Sequence, residues 1–181
     1  NITESRIATM IYLPKRALFI HIPRAAGNSI SSAIAQSCVG KNFDILICNT
    51  PNQLCGNWTH IFQTHALAKI LKPHIADWDE IFKFAVFRDE EERLNSTKRL
   101  VQRDIDQKTY ENAMCDEGWR EVLTSEKRRE DLYKNQRKLD LDYYTKGTAG
   151  EGLGVETFDY NSLNDLWPEI WAKCMINFHP L

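Results

Sequence analysis

The chain has 181 residues, 43% of them hydrophobic, and a formal net charge of -2, which supplies one packed core and excludes a globally basic nucleic-acid or membrane-surface binder. No apolar run approaches the roughly 18 to 20 residues that span a bilayer, so the chain reads as soluble, expected in the cytoplasm or, if an N-terminal anchor was removed, in the secretory-pathway lumen. Five cysteines, Cys38, Cys48, Cys55, Cys115 and Cys174, form no CxxC pair, which excludes a zinc framework and favours a reducing compartment; the sequons at Asn1, Asn57 and Asn95 are of a kind chance supplies.

Ala17 to Ile22 is a compact apolar run stopped by Pro23, short enough for a buried strand. Ile30, Ala33, Ile34 and Ser37 then fall at helical spacing, with Asn28 or Ser29 available as the cap. Phe43 to Cys48 predicts a second strand and, after a polar loop, Thr64 caps a short helix that runs to Leu71 and is stopped by Pro73. Phe82 to Phe87 predicts a third strand, apolar except for Lys83, and helical spacing resumes from about Glu90 to Arg103 through Leu94, Leu100 and Val101.

Residues 104 to 140 carry dense charge of both signs and read as helices with solvated faces. Thr145 to Gly154 reads as a flexible, glycine-rich loop, Val155 to Tyr160 as a strand, and Asn164 to Lys173 as a final helix. Strands alternating with helices predict one α/β domain over residues 1–181, a parallel sheet flanked by crossover helices.

In such a sheet, ligands sit beyond the carboxyl ends of the strands, where a turn feeding a helix presents unpaired N–H groups to an anion. The segment FIHIPRAAGNSI, residues 19 to 30, meets that need: small side chains at Ala25, Ala26 and Gly27 admit phosphate oxygens, Arg24 adds charge, and Asn28 and Ser29 add donors. A plain tight turn with a helix cap explains the same residues. The nucleotide P-loop pattern GxxxxGK[ST] is absent. A second segment, RDEEERLNS at residues 88 to 96, leaves the third strand with Arg88 at its lip and places Ser96 about two helical turns on.

FIHIPRAAGNS resembles the FxHIPKTGGTS segment of the sulfotransferases that use 3′-phosphoadenosine-5′-phosphosulfate (PAPS), the carbohydrate type in particular, and FRDEEERLNS resembles their RDPxxRxxS segment. The resemblance implies a P-loop NTPase-like sulfotransferase fold in which Arg24, Ala26, Gly27, Asn28 and Ser29 form the 5′-phosphosulfate site, while Arg88 and Ser96 hold the 3′-phosphate. It implies transfer of a sulfuryl group from PAPS to a hydroxyl or amine acceptor, carbohydrate included, with adenosine 3′,5′-bisphosphate as product and no metal. Arg24 stands where that family has Lys, Asn28 where it has Thr, and Glu90 where it has Pro. His65, by its place before the second segment, resembles a family histidine and is the candidate base, with Arg24 as the catalytic cation; His60 is the alternative base, and a structurally satisfied histidine is the competing reading for both.

Arg93 is expected to brace the second segment through an ion pair, and the tryptophans to serve as core or cleft walls. Two other readings stay open: a relative that binds nucleotide without turnover, and a small-molecule kinase with a divergent phosphate loop. Neither the acceptor nor the oligomeric state is legible.

Overall fold

The computed structural model describes residues 10–38, 46–48 and 65–176. Among them, five strands form one mixed sheet in the order β3-β1-β2-β4-β5. These are β1 (Met10–Leu13), β2 (Ala17–Ile20), β3 (Leu46–Cys48), β4 (Phe82–Phe87) and β5 (Val155–Asp159). Only β2, β4 and β5 run parallel; β1 pairs antiparallel with both β2 and β3. The α/β class is as expected, but half of the strand pairing is not.

The antiparallel half follows from a turn over Leu13 to Arg16 that carries no glycine or asparagine to mark it. Pro14 presets its own φ, and Lys15 takes φ 61, the left-handed conformation that the third residue of a type II turn requires. The Arg16 N–H closes the turn on the Leu13 carbonyl at 3.0 Å. Asp77 locks it from outside, its carboxylate accepting the Lys15 N–H at 2.7 Å and the Tyr12 hydroxyl at 2.6 Å.

The chain divides into two compact units: a sheet unit, residues 1–88 and 141–181, and a helical unit, residues 89–140. In the sheet unit every residue of β2 is buried, so both faces of the sheet are covered there. On one face Phe19, Phe84 and Phe158 pack with Ile30 and Ile34 of α1 (Gly27–Cys38) and Ile170 of α7 (Leu163–Ile176). Phe19 and Phe84 lie 5.2 Å apart between ring centroids, and Phe158 meets Phe84 edge-on at 6.4 Å. A short helix, α2 (Ala68–Leu71), buries Ala68 and Leu71 and continues through Pro73 as a 3-10 turn, Lys72–His74. Thr64, the expected cap, lies outside the described residues, and Leu67 occupies the capping position without a side-chain bond.

Lys83 is the polar exception in β4 and is buried nonetheless. Its ammonium donates to the carbonyls of Trp78 and Ile81 and stands 5.4 Å from the Trp78 ring centre, so its hydrogens find acceptors without a carboxylate.

The helical unit holds α3 (Glu90–Asp106), α4 (Glu117–Thr124) and α5 (Glu126–Lys138). The sequence shows why each starts where it does: Asp89, Asp116 and Ser125 accept first-turn N–H groups with their side chains. The buried stripe of α3 includes Leu94, Thr97, Val101 and Asp104; of the residues expected to carry it, Leu94 and Val101 are buried and Leu100 is half-buried. Asp104 is matched on both oxygens, by the Arg103 guanidinium and by the Trp119 indole at 3.1 Å.

In the sheet unit, α6 (Leu141–Thr145) leads into the glycine-rich segment. That segment is a closed turn: Lys146 bridges Gly152, and the Gly147 N–H donates to the Glu151 carbonyl at 2.9 Å. Gly150 at φ 79 makes the reversal possible. The final helix spans Leu163–Ile176, a little longer than expected at both ends.

Candidate functional site

Parallel strands β2 and β4 are neighbours, with Ile20 opposite Ala85, so the segments leaving their carboxyl ends emerge on the same edge of the sheet. From β2 come His21 and the turn that carries Arg24; from β4 comes Arg88. The next neighbour, β5, adds Tyr160, because Phe87 stands opposite Asp159 and the following residues are therefore side by side. The Arg88 guanidinium lies 4.3 Å from the centre of the Tyr160 ring, which holds the cation in a defined place.

The turn from β2 into α1 is conformationally costly. Arg24 has φ 63 and Ala26 φ 60, two L-residues in the left-handed region within three positions, each at a cost of about 1–2 kcal/mol. The first helical bond joins the Ile30 N–H to the Ala26 carbonyl at 3.0 Å. The N–H groups of Gly27, Asn28 and Ser29 therefore precede the helical ladder and lie at its positive end. Asn28 and Ser29, expected as caps, sit inside the first turn and are exposed.

Gly27 is needed for a different reason from the one the sequence suggested. A Cβ there would fall 1.6 Å from Nε2 of His21, so the space over its Cα holds an imidazole. An approaching anion is left the N–H side of the turn.

His21 is buried, and its Nδ1 has no hydrogen-bond partner among the described residues. Burial, with help from neighbouring His65 and Arg24, pushes its pKa down to about 3, so the ring is neutral near pH 7. His65 lies against it, the ring centroids 4.5 Å apart. The Nδ1 of His65 is 3.0 Å from the His21 carbonyl, and since a carbonyl only accepts, that nitrogen carries the hydrogen. Although residue 65 as a whole is exposed, protein atoms crowd its ring and lower its pKa, an effect partly offset by that bond. A neutral ring with hydrogen on Nδ1 leaves the Nε2 lone pair free to take a proton. His60 lies outside the described residues.

Arg88 belongs to the sheet unit, whereas Ser96 lies on the buried face of α3 in the helical unit. The acidic run between them is partly neutralised within the helical unit, where Arg137 pairs with Glu91 at 3.1 Å and reaches Glu90 at 4.0 Å. Arg93 does brace the start of α3, but through carbonyls and not the expected ion pair: it donates to Gln136 at 3.1 Å and Leu139 at 2.7 Å. A groove of about 250 Å³ in the same unit is lined by Leu94, Lys98, Glu130, Tyr133, Lys134 and Arg137. Two of its three cations are already engaged, Lys98 over the Tyr133 ring and Arg137 with the glutamates.

The sequence gives neither His21 nor Tyr160 a role beyond its strand. Tyr160 could be found only by aligning β5 with β4, a pairing between segments some seventy residues apart. Trp78, buried with its indole donating to the Leu153 carbonyl, and the stacked Trp167 and Trp171, packed against the core, fit the expected core role. Compared with known proteins, the chain matches no protein family, no curated protein and no solved structure.

Proposed function

We propose that the sheet edge binds PAPS and that the protein is a sulfotransferase acting on a hydroxyl or amine acceptor, with a carbohydrate as one option. The observation that carries the reading is the pair of cations, Arg24 and Arg88, on segments leaving the carboxyl ends of neighbouring parallel strands, one of them at a helix start. The resemblance of both segments to sulfotransferase motifs supports it, and so does the donor set: a guanidinium, three N–H groups ahead of the helical ladder, and a second guanidinium backed by Tyr160.

PAPS supplies the sulfuryl group. The residues contribute charge and a base: Arg24 faces the charge that grows on the phosphate oxygen as its bond to sulfur breaks, and Arg88 anchors the nucleotide. The Nε2 of His65 takes the proton that the acceptor loses as its new bond to sulfur forms. The leaving group is adenosine 3′,5′-bisphosphate. A P-loop NTPase-like fold belongs to the same proposal.

Adenosine 3′,5′-bisphosphate at about one hundred times its Kd should stabilise the protein by about 2.7 kcal/mol, and Arg88→Ala should abolish the resulting rise in Tm. ADP and ATP should give smaller rises. An unchanged melting curve in saturating bisphosphate would defeat the reading, whereas binding without transfer to any acceptor would identify a relative that keeps the cleft and not the reaction.

A further inference from the structure

Between β2 and α1 one side chain occupies a space that another residue leaves empty. The imidazole of His21 approaches the Cα of Gly27 so closely that Nε2, Cδ2 and Cε1 lie 1.6, 2.0 and 2.3 Å from the position of a Cβ there. A flexible side chain would swing away from such an intrusion. His21 has little room to do so: it is 3% exposed, stacked on Phe19 at 5.8 Å and set against His65 at 4.5 Å. Its backbone also holds the other histidine, since the His21 carbonyl accepts the Nδ1–H of His65.

We propose that His21 is a positioning residue, whose ring interlocks with the bare Cα of Gly27 to fix the strained Arg24–Gly27 turn and whose carbonyl fixes the tautomer of His65. Turn and base are thereby registered against each other by one residue at the end of β2. The functional meaning rests on the sulfotransferase reading above; the interlock itself does not. Simple core filling is an insufficient account, because the ring carries a buried nitrogen with no hydrogen-bond partner among the described residues, a cost that an apolar side chain would avoid.

The interlock makes an unusual prediction about two small substitutions. Gly27→Ala alone drives a methyl group into the ring and should lower Tm by about 10 °C and scramble the His65 tautomer as the His21 backbone is pushed aside. His21→Ala alone removes the ring and leaves a cavity. Combined, the two should be less harmful than Gly27→Ala alone, with Tm within about 3 °C of His21→Ala and the Nδ1–H form of His65 regained, because the methyl now enters the vacated space.

The test measures Tm and the side-chain 15N shifts of His65 in the wild type, both single variants and the double variant. A Gly27→Ala protein as stable as wild type with an unchanged tautomer would overturn the interlock, as would a double variant no better than Gly27→Ala. If Gly27→Ala yields no folded protein, folding of the double variant supports the interlock and its failure to fold refutes it. Affinity for adenosine 3′,5′-bisphosphate should fall about tenfold or more in Gly27→Ala and stay low in the double variant, which lacks the ring that fixes the turn. A wild type that binds none of this nucleotide would remove the functional half alone, leaving melting and tautomer to decide the interlock.

Discussion

In the helical unit, α3, α4 and α5 each begin behind a side chain that accepts first-turn N–H groups, and Asp104 is matched on both carboxylate oxygens. In the sheet unit, α1 begins behind two L-residues at positive φ and beneath a histidine with an orphaned nitrogen. Lys108, at φ 50 just past the end of α3, is the helical unit's one such residue among those described, and helices commonly end that way. Lys15 has an equally ordinary explanation in its hairpin. Arg24 and Ala26 have none. Backbone economy holds across the helical unit, where Gln136 Oε1 is the one buried side-chain atom without a partner among the described residues, and it fails at one turn of the sheet unit; such failures gather where a protein uses its backbone for something other than stability.

Acid should separate the two regions most strongly. The native pKa of His21, about 3, lies below the unfolded value of 6.5, so between these limits the unfolded chain binds more protons. The stability concerned is complete above pH 6.5 and drains away as pH falls toward 3, on the order of 5 kcal/mol in all. The lowered pKa of His65 acts in the same direction. No histidine occurs in residues 89–140, so hydrogen exchange at pH 4.5 should show protection falling first in the sheet unit. His21→Leu should flatten the pH dependence of unfolding; an unaltered slope would mean that the ring is not held neutral by burial.

A smaller effect should appear in the other unit. Arg93→Ala leaves the carbonyls of Gln136 and Leu139 without their donor, at a cost of about 1.5–3 kcal/mol, read as faster exchange at the end of α5 with the amides of β2 and β4 unchanged. Uniform loss across both units would break the distinction drawn between them. The smallest change should be a gain. Ala26→Gly relieves a left-handed alanine and should stabilise the sheet unit by about 0.5–1 kcal/mol in denaturant titration, less whatever the lost methyl contributed to packing. A loss of stability would show that packing of that methyl outweighs the strain.

Much of this architecture is legible because its signals are local. Phe82 to Phe87 is a strand with the expected limits, and Asp89 marks the start of α3 through its own carboxylate. The expected strand over Ala17 to Ile22 ends at Ile20, and α1 starts earlier than its hydrophobic period indicated because Gly27 to Ser29 are helical before any apolar residue appears. The antiparallel β1 was missed because MIYL abuts Pro14 without glycine or asparagine, and the turn's positive φ falls on a lysine. The glycine-rich segment looked mobile because composition does not reveal the Lys146–Gly152 bridge. At the candidate site, Arg24, Arg88 and His65 could be chosen from motifs. The contact of His21 with Gly27 could not, since a glycine shows in sequence only that something is missing, not what fills the gap.

Arg93 has a consequence beyond its own helix. From the first turn of α3 it grips the carbonyls of Gln136 and Leu139, so the chain enters and leaves the helical unit at a single point, drawn shut like a purse string. A segment with its two ends tied together can be lengthened, trimmed or exchanged by recombination while the host sheet keeps its pairing. Residues 89–140 are thus built as a cassette, open to replacement in a way that the strands on either side are not.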